Sequence, residues 1–229
     1  NPIWWQTTVA SAGNLTSAVY RIFGKPFSEE GKKLFGVPFA QFLKLNSEFR
    51  YHYRIDKNQM IASRIAGGVI WSYGNATTAP YTEQFYIGGA NSVRAFSARS
   101  IGPGGYPPET DRKYTYINHV GDIRMEANIE YRFRMIADLH GAVFLDAGNV
   151  WLMRKDENRP NSEFTLKNFP KQIALGTGFG LRYDLDFLVF RLDLGIGLHD
   201  PYDTGKSGYY NIPKFKDSMA LHFAIGYPF

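Results

Sequence analysis

The last eleven residues alternate with a period of two. Met219, Leu221, Phe223, Ile225, Tyr227 and Phe229 are large and apolar, and Ala220, His222, Ala224, Gly226 and Pro228 between them are small or polar. That period belongs to a half-buried β-strand. From 188 to 198, Leu188, Phe190, Leu192, Leu194, Ile196 and Leu198 share one face, opposite Arg191, Asp193, Gly195 and Gly197. From 173 to 187 the odd positions are mostly large, and the even ones are Ala174, three glycines, Arg182, Asp184 and Asp186. Residues 125 to 135 set Met125, Ala127, Ile129, Tyr131, Phe133 and Met135 against Glu126, Asn128, Glu130, Arg132 and Arg134. Residues 43 to 55 alternate in the same way, with weaker versions at 60–73 and 141–151. A poorly patterned first strand is expected near 5–22, giving about eight strands in all.

Such strands suit a soluble sandwich with its charged faces in water. The spacing between them favours another solution. Connections near 24–40, 75–118, 152–171 and 199–217 are long, and those near 56–59, 137–140 and 184–187 are short. Short turns at one end and long loops at the other mark a membrane barrel. The expectation is therefore an all-β, antiparallel transmembrane β-barrel spanning 1–229 as one domain. Side chains nearly fill the lumen of an eight-stranded barrel. A forty-residue loop could not also fold inside it, so either that loop stays outside or these strands are half of a wider barrel.

Composition narrows the chemistry. The 229 residues include no cysteine, which removes disulfides, thiolate metal sites and cysteine nucleophiles. Mean hydropathy is -0.30, and no apolar run approaches the ~18 residues of a membrane helix. Neither observation argues against a barrel, whose strands average polar and apolar faces. No leader pattern is read at Asn1, which begins in mid-pattern. The net charge is +5, and no Lys/Arg block exceeds two residues, so no nucleic-acid partner is expected. His52, His119, His140, His199 and His222 lack ligand spacing, and no metal or cofactor is implied. Gly176, Gly178 and Gly180 alternate along a strand, where they thin the inner wall instead of cradling phosphate. No Gly-x-Ser-x-Gly elbow is present. The chain reads as a non-enzyme.

One connection is unusual. Residues 85 to 106, FYIGGANSVRAFSARSIGPGGY, combine Gly88, Gly89, Gly102 and Pro103 with an apolar group, Val93, Ala95, Phe96 and Ile101, around Arg94. Apolar side chains in a loop imply that it packs against something. Glu130 and Asp146 both carry inward parity on neighbouring strands. Pairing about a turn centred near Asp138 gives register sums near 276, which would set them directly opposite one another. Facing carboxylates destabilise a ladder unless a cation intervenes. An arginine fork can bridge both, in a geometry lysine cannot match. Arg94 is thus either that bridge or a solvated loop cation. In the last strand, Pro228 offers no N–H and Gly226 weakens pairing. The stretch Phe223, Ile225, Gly226, Tyr227, Pro228, Phe229 is either a weak seam or an ordinary strand end.

The segment GGANSVRAFSARSIGP resembles the Val-Arg-Gly-Phe/Tyr loop signature of the BamA/TamA outer-membrane assembly-factor superfamily. The match continues through GDIRMEANIEYRF (121–133), AVFLDAGNVW (142–151), GTGFGLRYD (176–184) and HFAIGYPF (222–229), and so runs from about residue 39 onward. Where that family usually has glycine after the arginine, this chain has Ala95, so the turn must keep φ negative or carry strain. The departure suggests a divergent, TamA-like branch. The resemblance implies a sixteen-stranded barrel of the bacterial outer membrane, with these strands its C-terminal half and periplasmic repeat modules upstream. It further implies a loop folded into the lumen, an arginine held by carboxylates on the wall, and a seam between first and last strands that opens sideways. The implied activity is insertion or export of polypeptides, with lipid, client chains and possible accessory subunits as partners. A passive pore, or a barrel that anchors or exports a fused or partner-secreted protein, is the alternative.

Overall fold

The computed structural model describes residues 1–27, 30–108, 118–185 and 187–229. Asp186, residues 28–29 of the first long connection and residues 109–117 of the second, all included in the reading above, lie outside them. Eight strands form one antiparallel sheet. They are β1 (Ile3–Ala12), β4 (Phe42–Arg54), β5 (Gln59–Ser72), β6 (Ile123–Ile136), β7 (Leu139–Trp151), β8 (Ala174–Asp184), β9 (Val189–His199) and β10 (Met219–Ile225). Each pairs with its neighbours in chain order. The two remaining strands, β2 (Lys33–Leu34) and β3 (Val37–Pro38), make a small ribbon in the first long connection. The main sheet does not close on itself: β1 and β10 are both edges. The sheet is open, with two free edges.

The faces of the sheet are inverted relative to a soluble protein. Arg94, Glu130, Asp146, Arg182, Arg191 and Asp193 are all essentially buried, while Ile65, Leu221, Phe223 and Ile225 are more than 60% exposed. A sandwich in water would bury the second set and expose the first. Exposed apolar outer positions with buried charge inside fit a strand wall in lipid. No helix among the described residues is long and apolar enough to cross a membrane.

Three elements depart from the sequence pattern. Residues 13–22 do not extend the first strand; β1 stops at Ala12 and α1 (Asn14–Ile22) follows. Leu15, Val19 and Ile22 recur there at helical spacing, and Gly13 enters the helix in the left-handed region at φ +73. Secondly, β6 and β7 are joined by two residues, Ala137 and Asp138, with a bulge between Arg134 and Ile136. Thirdly, the final alternation ends early. β10 stops at Ile225, because Gly226 adopts φ +84 and turns the chain out of the strand. Phe229 does not continue the outward row of Phe223 and Ile225; it is buried, and its carbonyl accepts a hydrogen bond from Arg132 Nη2 at 3.2 Å.

The core lies between the inner face of the sheet and the long connection from Tyr73 to Asp122. Phe42, Ile70, Val150 and Ala174 come from strands; Ala79, Phe85, Ile87, Val93 and Ile101 come from the connection. The connection joins the wall through backbone hydrogen bonds as well, Gly104 N–H to the Val150 carbonyl at 2.7 Å and Asp122 N–H to the Trp151 carbonyl at 2.8 Å. Burying its apolar residues supplies the driving force that holds a glycine-rich loop in one place.

Candidate functional site: a buried arginine beneath the inner wall

Glu130 and Asp146 stand on the inner face because both are even-numbered positions on strands whose odd positions point outward. They do not face one another directly. Asp146 pairs with Asn128, and Glu130 pairs with Phe144. The two-residue turn and the bulge move the register by two from the expected sum. Because the side-chain period is two, a slip of two keeps both carboxylates inward and leaves them diagonal neighbours.

Arg94 lies between them and is fully buried. Its Nε donates to Asp146 Oδ2 at 2.8 Å, its Nη2 donates to Asp146 Oδ1 at 2.9 Å, and its backbone N–H reaches Oδ2 at 3.0 Å. The remaining terminal nitrogen, Nη1, donates to Glu130 Oε2. The guanidinium carbon sits 3.6 Å from the centre of the Phe144 ring. That stacking uses the face of the fork while its edge is fully hydrogen-bonded. Lysine offers no planar fork and could not do both.

The site extends further than three residues. Arg132 Nε donates to Glu130 Oε1 at 2.7 Å, and Arg182 joins Glu130 (3.1 Å) to Asp193 (2.5 Å). Arg191 Nε lies 3.5 Å from Asp193 Oδ2, and its Nη2 donates to Asn91 Oδ1 of the loop at 2.5 Å. Asn128 Nδ2 donates to Asp146 at 2.9 Å and to the Ser92 carbonyl at 2.9 Å. The Arg94 carbonyl contacts His222 Nε2 on β10 at 2.9 Å. Strands β6 through β10 thus converge on one loop residue. Arg132, Arg182, Asp193, Asn128 and His222 were legible as inward by parity, but nothing in the pattern placed them at the same height.

Glycine makes the approach possible. A Cβ at Gly195 would run into the Arg94 carbonyl, and one at Gly176 would meet the Ala95 methyl. Gly178 leaves room for the Phe144 ring, and Gly180 for the Arg182–Asp193 pair. The alternate glycines of β8 therefore do thin the inner wall, and the loop occupies the space. Ala95 is not among the residues with positive φ. The tight turn in which Phe96 N–H reaches the Val93 carbonyl at 3.1 Å needs no glycine at that position. Within the loop positive φ falls instead on Gly88, Gly89, Gly102 and Gly104, each with a neighbour where a Cβ would be, and on Arg99 at φ +59. Val93 and Ala95 are buried and Phe96 packs on the core, while Pro103 follows Gly102 where the loop meets Asn149 and Val150.

At the last strand, β10 has seven residues against eleven in β9. Phe223 and Ile225 point outward and are exposed. Gly226 still donates its N–H to the Val189 carbonyl at 2.8 Å. Tyr227 and Phe229 place their rings 4.6 and 5.5 Å from the Arg132 guanidinium, and Pro228 is buried between them. The chain end is thereby tied to the same charged cluster that holds the loop. No group of three or more His, Cys, Asp or Glu with metal-holding geometry exists among the described residues.

Residues 33–229 match the model of the Omp85 superfamily domain. The chain belongs to the Omp85 superfamily. It is a protein of the bacterial outer membrane. The outer membrane protein assembly factor BamA of Nitratidesulfovibrio vulgaris (strain Hildenborough) is 28% identical over 205 residues, covering 87% of this chain and 22% of that protein. BamA of Neisseria meningitidis serogroup B is 29% identical over 89 residues, 37% of this chain and 11% of the relative. Both curated relatives are named BamA, so the leaning toward a TamA-like branch gains no support. Among solved structures, BamA from Haemophilus ducreyi lacking POTRA domains 1–3 matches with a TM-score of 0.54 at 16% identity, over 81% of this chain and 35% of that one. That likeness concerns the fold alone. The chain spans about a fifth or less of the curated relatives' length.

Proposed function

We propose that this Omp85 chain forms the C-terminal half of a sixteen-stranded barrel that inserts or exports polypeptides at the outer membrane, without catalysing a covalent reaction. The observation that supports it most is the investment in one internal loop. In a completed barrel, a loop held against the inner wall by a buried guanidinium would obstruct the lumen. A passive pore needs an open lumen, so a permanently seated loop disfavours that reading.

In this reading Arg94, Glu130 and Asp146 lock the loop, and work is done at the wall. The short β10 edge, ended by Gly226 and Pro228, is the side from which an incoming strand would gain main-chain hydrogen bonds. Its partners would be lipid, client β-barrel or secreted polypeptides, and accessory subunits on the periplasmic side. The test replaces the native gene with the full-length Arg94→Ala form and measures outer-membrane levels of other barrels. A fall in those levels, with this protein still present in the membrane, is expected. Unchanged client levels would overturn the proposal. A large, steady single-channel conductance from the wild-type protein would favour the pore instead. Export of a fused or partner-encoded protein with no effect on other barrels would favour the exporter reading.

A further inference from the structure

The outer face of the sheet carries a depression that its own packing does not explain. Gly67 on β5, Ala127 on β6 and Ala147 on β7 are outward-facing small residues on three neighbouring strands. Together with Met125, Phe169 and Ile173 they line an apolar groove of about 310 Å³. Phe169 and Ile173 come from the connection that follows β7 and overhang the groove at the long-loop end of the strands.

Gly67 is the informative residue. Other strand glycines have reasons inside the protein: a Cβ at Gly68 would strike the Phe85 ring, and one at Gly148 would lie 2.8 Å from the Met125 carbonyl. A Cβ at Gly67 would meet only the Arg124 carbonyl oxygen, 3.8 Å away. Its φ is not positive, so no backbone need calls for glycine either. Glycine within a strand is destabilising by roughly 0.5–1 kcal/mol relative to alanine. The space it leaves open faces outward, into the membrane. Since β5, β6 and β7 lie inside the sheet, away from both free edges, upstream strands joining β1 or β10 cannot cover it.

The overhang also carries charge. Lys167 and Lys171, both exposed, flank Phe169 in the chain, at the end of the wall where the long loops mark the outer surface. We infer that the Gly67–Ala127–Ala147 groove seats one acyl chain of an outer-leaflet lipid, with its phosphorylated headgroup held by Lys167 and Lys171. This goes beyond the proposed assembly activity and does not depend on it.

The test uses the full-length protein in nanodiscs doped with bisphosphorylated lipid A that carries a diazirine in one acyl chain. Cross-linked peptides are mapped after irradiation. Labelling at 125–127 or 169–173 should exceed that of outward positions on β9 by about tenfold, the ratio given by burying two extra methylenes at ~0.8 kcal/mol each. Gly67→Val fills the groove from a Cβ that meets nothing closer than 3.8 Å; the variant, once its thermal midpoint shows it folded, should lose that excess. Lys171→Glu should lower labelling by lipid A and leave labelling by an equally tagged phosphatidylethanolamine unchanged. Even labelling around the wild-type barrel, or undiminished groove labelling in folded Gly67→Val, would overturn the inference. Groove labelling that ignores Lys171→Glu would keep the acyl seat and overturn the headgroup assignment.

Discussion

Asp146 accepts three N–H groups from a single residue, Arg94: the backbone amide, Nε and Nη2. Two of the three come from the planar fork and one from the chain itself, so the carboxylate fixes both the side chain and the turn that carries it. Charge-assisted bonds of this kind are about twice as strong as neutral ones, and the pair is sealed from water. Removing one partner of a buried ion pair strands the other, and typical losses are about 3–5 kcal/mol.

Arg94→Ala should therefore release the loop. Asp146 and Glu130 would lose a shared donor in a site with no exposure. Arg94→Lys should fail nearly as badly, because an ammonium cannot pair with both carboxylates edge-on and stack on Phe144. Limited proteolysis of the full-length protein in membranes should show new cleavage within 85–106 for both variants. Protection equal to wild type in the lysine form would refute the fork argument.

Gly176 and Ala95 should behave as a coupled pair. Gly176→Ala brings a methyl onto the Ala95 methyl and should lower stability by about 1–3 kcal/mol, the usual range for overpacking. Ala95→Gly in the same chain should restore most of that loss. A double-mutant cycle on the thermal midpoint of the barrel measures the coupling. Simple additivity would show that the two positions do not touch.

Asn128→Asp would create, directly across the β6–β7 ladder, the like-charge pair that a register two residues longer would have assigned to Glu130. The substitution also removes the Nδ2 donor that serves Asp146 and the Ser92 carbonyl. A loss of about 1–3 kcal/mol is expected from the stranded acceptors, plus like-charge repulsion. Asn128→Ser should be milder. Denaturant midpoints of the two variants in matched detergent would decide the ordering, and the opposite order would refute it.

Gly226→Ala places a Cβ at φ +84, at a cost of about 1 kcal/mol. Loosening that turn should free Tyr227 and Phe229 from Arg132 while leaving the loop network intact. Hydrogen exchange should quicken at residue 226, whose N–H bonds the Val189 carbonyl, and stay slow at Arg94. Faster exchange at both would mean the chain end and the loop open as one unit.

The sequence alone determined the faces. Period-two alternation told which side of each strand after the poorly patterned first one is apolar, and loop lengths favoured a barrel over a soluble sandwich. Parity carried Glu130, Asp146, Arg182 and Asp193 to the inner wall with no further information, because successive Cβ atoms on a strand must point opposite ways. It also singled out Arg94, a cation ringed by Val93, Ala95, Phe96 and Ile101, but left it either a bridge between carboxylates or a solvated loop cation. What it could not supply was height along the wall. That depends on how many residues the Ala137–Asp138 turn consumes and where the bulge falls, and neither changes the alternation. Only the folded ladder showed that Asp146 faces Asn128, that Arg132 and Arg182 join Arg94 on Glu130, and that Gly195 opens the wall to the Arg94 carbonyl. The end of the chain followed the same logic. Alternation continues through Phe229 in sequence, but a single left-handed glycine at 226 turns the last residues inward, and no periodicity records a φ angle.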